Sequence, residues 1–428
     1  METVDRQVLL QFFFLVTCRP ERFVSKAIRN AIPREDMAKP KLIIHLDING
    51  TIMPADPIQS KNVETMLNIH LSKQAFVRRM AKEDASTNDI VWWTGAPFHT
   101  GAVAPLLPQF RYTCHISEHY REELSGGEYP FEESVLLHDF NSVQAGEACE
   151  DFTSKGSPGF VYKPVLETLL KNLEWKHPMA EPGITEALTL EMKSGSHHDQ
   201  RMSLFVPAFV YLLQYLYERK DEQDYVLVIR TFGSDIPRLT PAFNLIAQGK
   251  HPDIPAAGCI KEPHAFGNLS RSVNGEFSLD FNSSENQAIH SSERIMEYFE
   301  SLDSGSVVMV CDDYECWRAN NFDPVFGKPV FIDLSEETRR DHIRHFLFDD
   351  NVNMNPKDSI AAVWLKQRFG STTFEPLALS SEKGKAMIGT VLLQANLFYS
   401  ILDREAFVKE LLRANNRYNS LRHRLANL

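Results

Sequence analysis

The chain has 428 residues, with 45 Lys+Arg against 57 Asp+Glu for a formal charge of −12, and it is 43% hydrophobic and 24% charged. This is ordinary for a globular protein of two or three domains that buries its core without disulfide staples. The acid excess argues against a general nucleic-acid binder, which would carry a basic footprint.

The charge is unevenly placed. Residues 122–154 hold nine acids and no Lys or Arg, so the rest of the chain lies much nearer neutrality. The six cysteines (Cys18, Cys114, Cys149, Cys259, Cys311 and Cys316) form no CxxC pair and no zinc-spaced quartet with histidine. That usage predicts free thiols in a reducing, cytoplasmic setting.

Taken in order, the first apolar run is Val8–Cys18. It is shorter than the roughly 20 residues of a spanning helix. Glu2, Asp5 and Arg6 precede it, unlike the positive start of a signal peptide. It reads as a buried strand or short helix, and no membrane partner is expected. Buried strands are predicted at Lys41–Leu46, Ile90–Trp93, Tyr225–Ile229, Ser306–Val310 and His345–Phe348, with a weaker one at Val330–Leu334. Apolar runs without alternation suit a parallel sheet covered on both faces. Helices are predicted over Phe205–Lys220 and Ala288–Leu302, each just before a strand, an α/β alternation. Residues 97–200 and 252–285 break the pattern and read as insertions or loops. Lys385–Leu402 and Asp403–Leu425 read as two C-terminal helices, the second with a basic face expected to be solvated.

The stretch that carries chemistry is Lys41-Leu-Ile-Ile-His-Leu-Asp47-Ile48-Asn49-Gly50-Thr51. A buried strand delivers an Asp at its carboxyl end and a Gly-containing turn follows. Ligands of open α/β sheets bind at that end of the strands. An Asp there can attack phosphorus or hold a metal; it can also simply cap an Asn-Gly turn. The dyad His197-His198 and the Trp92-Trp93 pair read as a polar loop and as core.

This motif resembles the first motif of the haloacid dehalogenase superfamily of phosphatases and phosphotransferases, Asp-x-Asp-Gly-Thr. The resemblance implies a Rossmann-like, mostly parallel α/β sheet with helices on both faces, a large cap insertion and a helical tail. Residues 1–51 and 201–380 would form the core, 52–200 the cap, and 381–428 helices packed on the core. It implies Asp47 as nucleophile, the Asn49 carbonyl as a Mg2+ ligand, and Thr51 and Gly233 at the phosphate. A strand-end Thr should bind the phosphoryl oxygens. Thr231 fits, in a complete helix–strand–turn–helix context, with Thr94 as its rival. Paired acids at a strand end should hold the metal. Asp349 and Asp350 fit, with Asp312 and Asp313 as rivals. The motif Lys points to the first pair, because Lys328 stands 21 residues before Asp349. A phosphorylated substrate and Mg2+ are the expected partners.

The chain departs from the family at Asn49, where phosphatases use Asp to protonate the leaving oxygen and activate water. General acid–base help is worth about 100- to 10,000-fold. Two functions therefore stay open: a slow, Mg2+-dependent phosphohydrolase or phosphotransferase acting through an aspartyl-phosphate, or an inactive pseudoenzyme serving as a phosphate-ligand-binding or scaffold protein.

Overall fold

A computed structural model describes residues 39–73, 76–79, 90–92, 135–136, 150–155, 160–192, and 200–425 except 255, 264, 273–274, 282–287, 335–341, 353–358, 367–372 and 422–423. The run Val8–Cys18, Thr94, His197-His198 and nearly all of the acidic stretch lie outside the described residues. The described chain divides into two compact units. One runs from Glu64 to Asn172. It contains most of the helix Val63–Lys73, whose Asn68 Oδ1 accepts from the buried Thr153 N–H at 2.8 Å, and the helix Lys163–Leu173. A small antiparallel sheet orders Ile90–Trp92, Phe76–Arg79 and Val135–Leu136. The apolar run at Ile90 therefore belongs to this sheet and not to the main parallel one.

The second unit comprises Lys39–Val63 and Leu173–Leu428. It is α/β, built on an eight-stranded sheet. In chain order its strands are β1 (Lys41–Asp47), β2 (Asp224–Thr231), β3 (Ala265–Arg271), β4 (Phe277–Phe281), β5 (Ile289–His290), β6 (Val307–Asp312), β7 (Ile343–Asp349) and β8 (Leu392–Gln394). Their order across the sheet is β5-β4-β3-β6-β2-β1-β7-β8. All pairings from β3 to β8 across the sheet are parallel, and β4 and β5 add antiparallel strands at one edge.

Three features differ from the expectation. The stretch 252–285 is not a loop. Gly267 and Leu269 alternate with exposed positions in β3, a strand pattern hidden among polar residues, and β3 and β4 form a hairpin. A Cβ at Gly267 would meet Leu279 Cδ1 at 2.7 Å, so a larger residue would have to push the Leu279 side chain aside. The tail is not purely helical either: Leu392–Gln394 pairs with β7, between the helices Glu382–Met387 and Leu397–Leu402. Finally, the unit boundaries fall at 63 and 173, not at 51 and 201. The chain after the Asp47 turn stays tied to the sheet, where Val206 N–H donates to Ile52 O at 2.9 Å. Residues 173–206 return there through the bridge between Glu174 and Met202.

Alternate residues of a strand face opposite sides. On one side Phe346 and Phe348 meet Tyr418 and Phe407 of the last helix, Ala406–Tyr418. That helix packs on Pro207–Glu218, whose Phe209, Leu212, Leu213 and Leu216 are buried. The other side is covered by more than helices. Ile43, Val226, Val228 and Val308 pack against the helix Ser292–Ser301 and against Phe331 and Trp364 of a second sheet. That sheet orders Lys328–Asp333, Ala361–Lys366 and Glu375–Leu377. The apolar run at Val330 thus builds a covering layer. The basic face of the last helix is solvated, with Arg404, Arg413 and Arg417 exposed; at its edges Lys409 pairs with Asp403 at 2.8 Å and Arg417 donates to Gly389 O at 2.9 Å.

His251 is buried beside the second unit's first helices, its Nδ1 accepting from Asp253 N–H at 3.1 Å. Burial pushes its imidazole from 6.5 down to about 4, with Asp253 opposing and His177 reinforcing the shift. Below pH 6.5 the unfolded chain takes up a proton that the fold excludes. Stability should therefore fall by about 3 kcal/mol between pH 6.5 and 4 through this residue alone. In urea titrations across that range, His251→Leu should show a shallower acid loss than the parent; parallel curves would refute it.

Candidate active site at the carboxyl edge of the sheet

The strand register brings the site together. Leu46 lies level with Phe348 on one side and Ile229 on the other, so Asp47 and Asp349 end their strands side by side, level with Arg230, the last residue but one of β2. β6 carries the row on, with Val310 level with Arg230. The strand order turns back on itself around β1, the position where open α/β sheets form a binding crevice.

Lys328, the first residue of the second sheet, reaches this row. Its side chain is 1% exposed, and its Nζ donates to Asp47 Oδ1 and, at 2.7 Å, to Asp349 Oδ2. Burial acts against its positive charge, but Asp349, Asp47 and Asp312 outweigh it and hold the ammonium above the ordinary lysine range. Burial also pushes the Asp47 carboxyl well above its usual range; Lys328 opposes this, and Asp349 and Asp350 add repulsion. Asp47, Asp349 and Asp350 each offer one oxygen, all within 4.8 Å of one another, a set that could hold a metal ion. The turns that carry them are braced. Gly50 takes φ +80°, and Thr51 N–H, Ile52 N–H and Met53 N–H all donate to Ile48 O. Asn351 N–H donates to Asp349 Oδ1 at 2.9 Å.

The other expected residues are placed as follows. Thr51 is fully buried and its Oγ1 accepts from Asp350 N–H at 3.0 Å, so its hydroxyl ties the acid loop to the β1 turn instead of facing an open phosphate position. Thr231 ends β2, donates to Asp235 Oδ2 at 2.8 Å and accepts from Gly233 N–H at 2.8 Å. A Cβ at Gly233 would stand 2.8 Å from Asp235 Oδ2 and 2.9 Å from Ile58 Cδ1, so a larger residue would have to displace these side chains. Asn49 Nδ2 donates to the same Asp235 Oδ2 at 3.0 Å, while its buried Oδ1 has no partner among the described residues.

The rival acids are otherwise engaged. Both oxygens of Asp312 bind the Arg230 guanidinium, Oδ2 at 3.0 Å from Nε, with each side chain 1% exposed. Asp313 Oδ1 caps the helix Tyr314–Ala319 through Cys316 N–H at 2.9 Å, and its Oδ2 accepts from Arg271 N–H at 3.3 Å. Arg230 also donates to Pro329 O at 2.6 Å, beside Lys328.

Sequence reasoning passed over Arg230 and Asp235. Arg230 was signalled by its position in an apolar strand, since a buried guanidinium must find an acid. Asp235 was signalled as an N-cap Asp before Ile236–Ala247, yet its side chain makes no cap bond and serves Thr231 and Asn49 instead.

Compared with family models, curated proteins and solved structures, the chain finds no match in any of the three.

Replacing Lys328 by Met would leave two buried carboxylates without their cation. Breaking a buried pair in this way should cost about 3–5 kcal/mol, read as a lower urea midpoint in EDTA. Adding Asp47→Asn should recover part of the loss. A loss under about 1 kcal/mol would mean that the ammonium is not seated between the acids.

Proposed function

We propose that the chain is a phosphohydrolase or phosphotransferase of the haloacid dehalogenase kind, with Asp47 as nucleophile. The observation that carries this reading is Lys328 Nζ seated between Asp47 and Asp349 at the carboxyl edge, with Asp350 in reach. The donor set fits Mg2+: three carboxylates within 4.8 Å are hard oxygen ligands, and their mutual repulsion is only partly offset by one ammonium. Asp47, Asp349 and Asp350 would hold the ion, with the Asn49 carbonyl as a further ligand implied by the resemblance. When bound, it supplies positive charge that lets an anionic phosphate approach an anionic nucleophile.

The chain's own residues do the rest. Lys328 fixes Oδ1 of Asp47 and so orients the carboxylate; its charge also stabilises the transferring phosphoryl group. An Asp47 oxygen bonds to phosphorus as the bond to the leaving oxygen breaks, and that oxygen departs with the electron pair. In hydrolysis, water then bonds to phosphorus, the Asp47–phosphate bond breaks, and the water proton passes to the phosphate released. An acceptor hydroxyl in place of water gives transfer. Asn49 can neither protonate the leaving oxygen nor take the proton of water, so both steps run without general acid–base help.

A second reading, a binding protein that keeps the pocket without turnover, is favoured by one observation. The single hydroxyl proton of Thr231 is committed to Asp235, so it is not offered to a phosphate, and one N–H of the Asn49 amide is engaged by the same oxygen.

Asn49→Asp separates the two. The new carboxylate would face Asp235 Oδ2, and like charges so close retain a proton between them. That proton is the missing general acid. Turnover of an alkyl phosphate with Mg2+ should rise by about 100-fold or more, whereas p-nitrophenyl phosphate, whose leaving group needs little protonation, should gain much less. Asp47→Asn should abolish both. If parent and Asn49→Asp are folded and both inert towards p-nitrophenyl phosphate, the enzymatic reading fails.

A further inference from the structure

We propose that an exposed aromatic group beside the carboxylate site is a platform for the ring of an aryl phosphomonoester, an inference that rests on the reading of Asp47 as nucleophile. The group starts at the site itself. Phe232 follows Thr231, and Lys328 Nζ lies 5.3 Å from its ring centroid. Its ring stacks on Trp317 at 5.1 Å with an interplanar angle of 1°. Phe322 meets Trp317 edge-on at 4.9 Å, and Tyr314 stands 5.9 Å from Phe232. Both Tyr314 and Trp317 belong to the helix that follows β6, so the rings share the carboxyl edge with Asp47.

This arrangement is not explained by core packing. Tyr314 is 38% exposed and Phe322 46%, so two of the four rings present apolar surface to solvent next to a charged site. Phe322 is also held at φ +59° directly after Asn321 at φ +55°. A bulky residue in the left-handed region is strained. An exposed ring gains too little burial to offset that strain, and such strain gathers at ligand clamps. The buried Trp317 Nε1 has no hydrogen-bond partner among the described residues.

Asn49 selects the same class by chemistry. Because an amide cannot protonate the leaving oxygen, the site suits a leaving group that departs as an anion. A phenol ionises at about 10, while an alkanol resembles water at about 15.7. Planar faces, which stack on aromatic rings, and an acidic leaving oxygen are both properties of a phosphate ester of a phenol.

The test uses the full chain with Mg2+ and two ligands that cannot be hydrolysed, phenylphosphonate and methylphosphonate, titrated calorimetrically. Phenylphosphonate should bind about tenfold tighter, and the ratio should fall towards one in Phe322→Ala and in Tyr314→Ala, with folding checked by thermal unfolding. Equal affinities in the parent, a ratio that survives both substitutions, or no binding of either ligand would overturn the proposal. A peptide carrying phosphonomethyl-phenylalanine identifies the source: tighter binding than phenylphosphonate supports an aryl phosphate carried on protein, and equal or weaker binding supports a free ester. Turnover of acetyl phosphate, which has no ring and needs no proton on its leaving group, reports on Asp47 separately. Turnover without a phenyl preference sinks the platform alone, and a phenyl preference without turnover sinks only the catalytic reading.

Discussion

The buried ammonium of Lys328 is the contact on which the carboxyl edge depends. The covering sheet packs on the main sheet through apolar side chains, and Lys328 adds a contact made through charge. Asp47 and Asp349 come from neighbouring parallel strands, level with each other and desolvated. Burial and the neighbouring acids push the Asp47 carboxyl up, and the ammonium opposes that shift. Asp349 and Asp47 in turn keep the ammonium charged against the penalty of burial. Neither side of this arrangement is stable without the other, which makes it a poor source of net stability and a strong constraint on geometry.

Arg230 and Asp312 extend the same logic one strand further. The guanidinium engages both oxygens of Asp312 and then the Pro329 carbonyl, so it clamps the covering strand immediately beside Lys328. Asp312 adds to the field that keeps Lys328 protonated. The second acid pair is thus an anchor for the lysine that serves the first. A row of alternating charges runs along the strand ends, from Asp349 through Lys328 and Asp47 to Arg230 and Asp312. A site of this kind is pre-organised by pairing, so a phosphate would meet fixed charges instead of mobile ones.

Much of this was legible in the sequence, and the reasons differ from part to part. Strands β1, β2, β6 and β7 are buried on both faces and announce themselves as apolar runs. β4 escapes because its apolar residues alternate with Ser and Asp, and β3 because Gly267, Asn268, Ser270 and Arg271 interrupt its apolar positions. β8 escapes because three residues between helices leave no periodicity to read. Lys328 was found by its spacing from Asp349, but its strand was assigned no special layer, since a run such as Val-Phe-Ile-Asp-Leu does not say which sheet it joins. The choice between acid pairs needed a partner three-dimensionally adjacent: Arg230, 82 residues from Asp312, is invisible to local spacing.

Asn49 and Asp235 show how far a motif can be read before its neighbours matter. As a sequence letter, Asn49 only subtracts a proton donor. In the fold it is one of two groups that donate to Asp235 Oδ2, the other being the hydroxyl of Thr231. Asp235 abandons its place as a helix cap to receive them. Burial pushes its carboxyl up while both donors pull it down. An Asp at position 49 could keep this three-way contact only by retaining a proton, since its ionised form has nothing to donate. The amide is therefore half integrated with its surroundings: its Nδ2 meets the complementary Asp235 Oδ2, while its buried Oδ1 has no partner among the described residues.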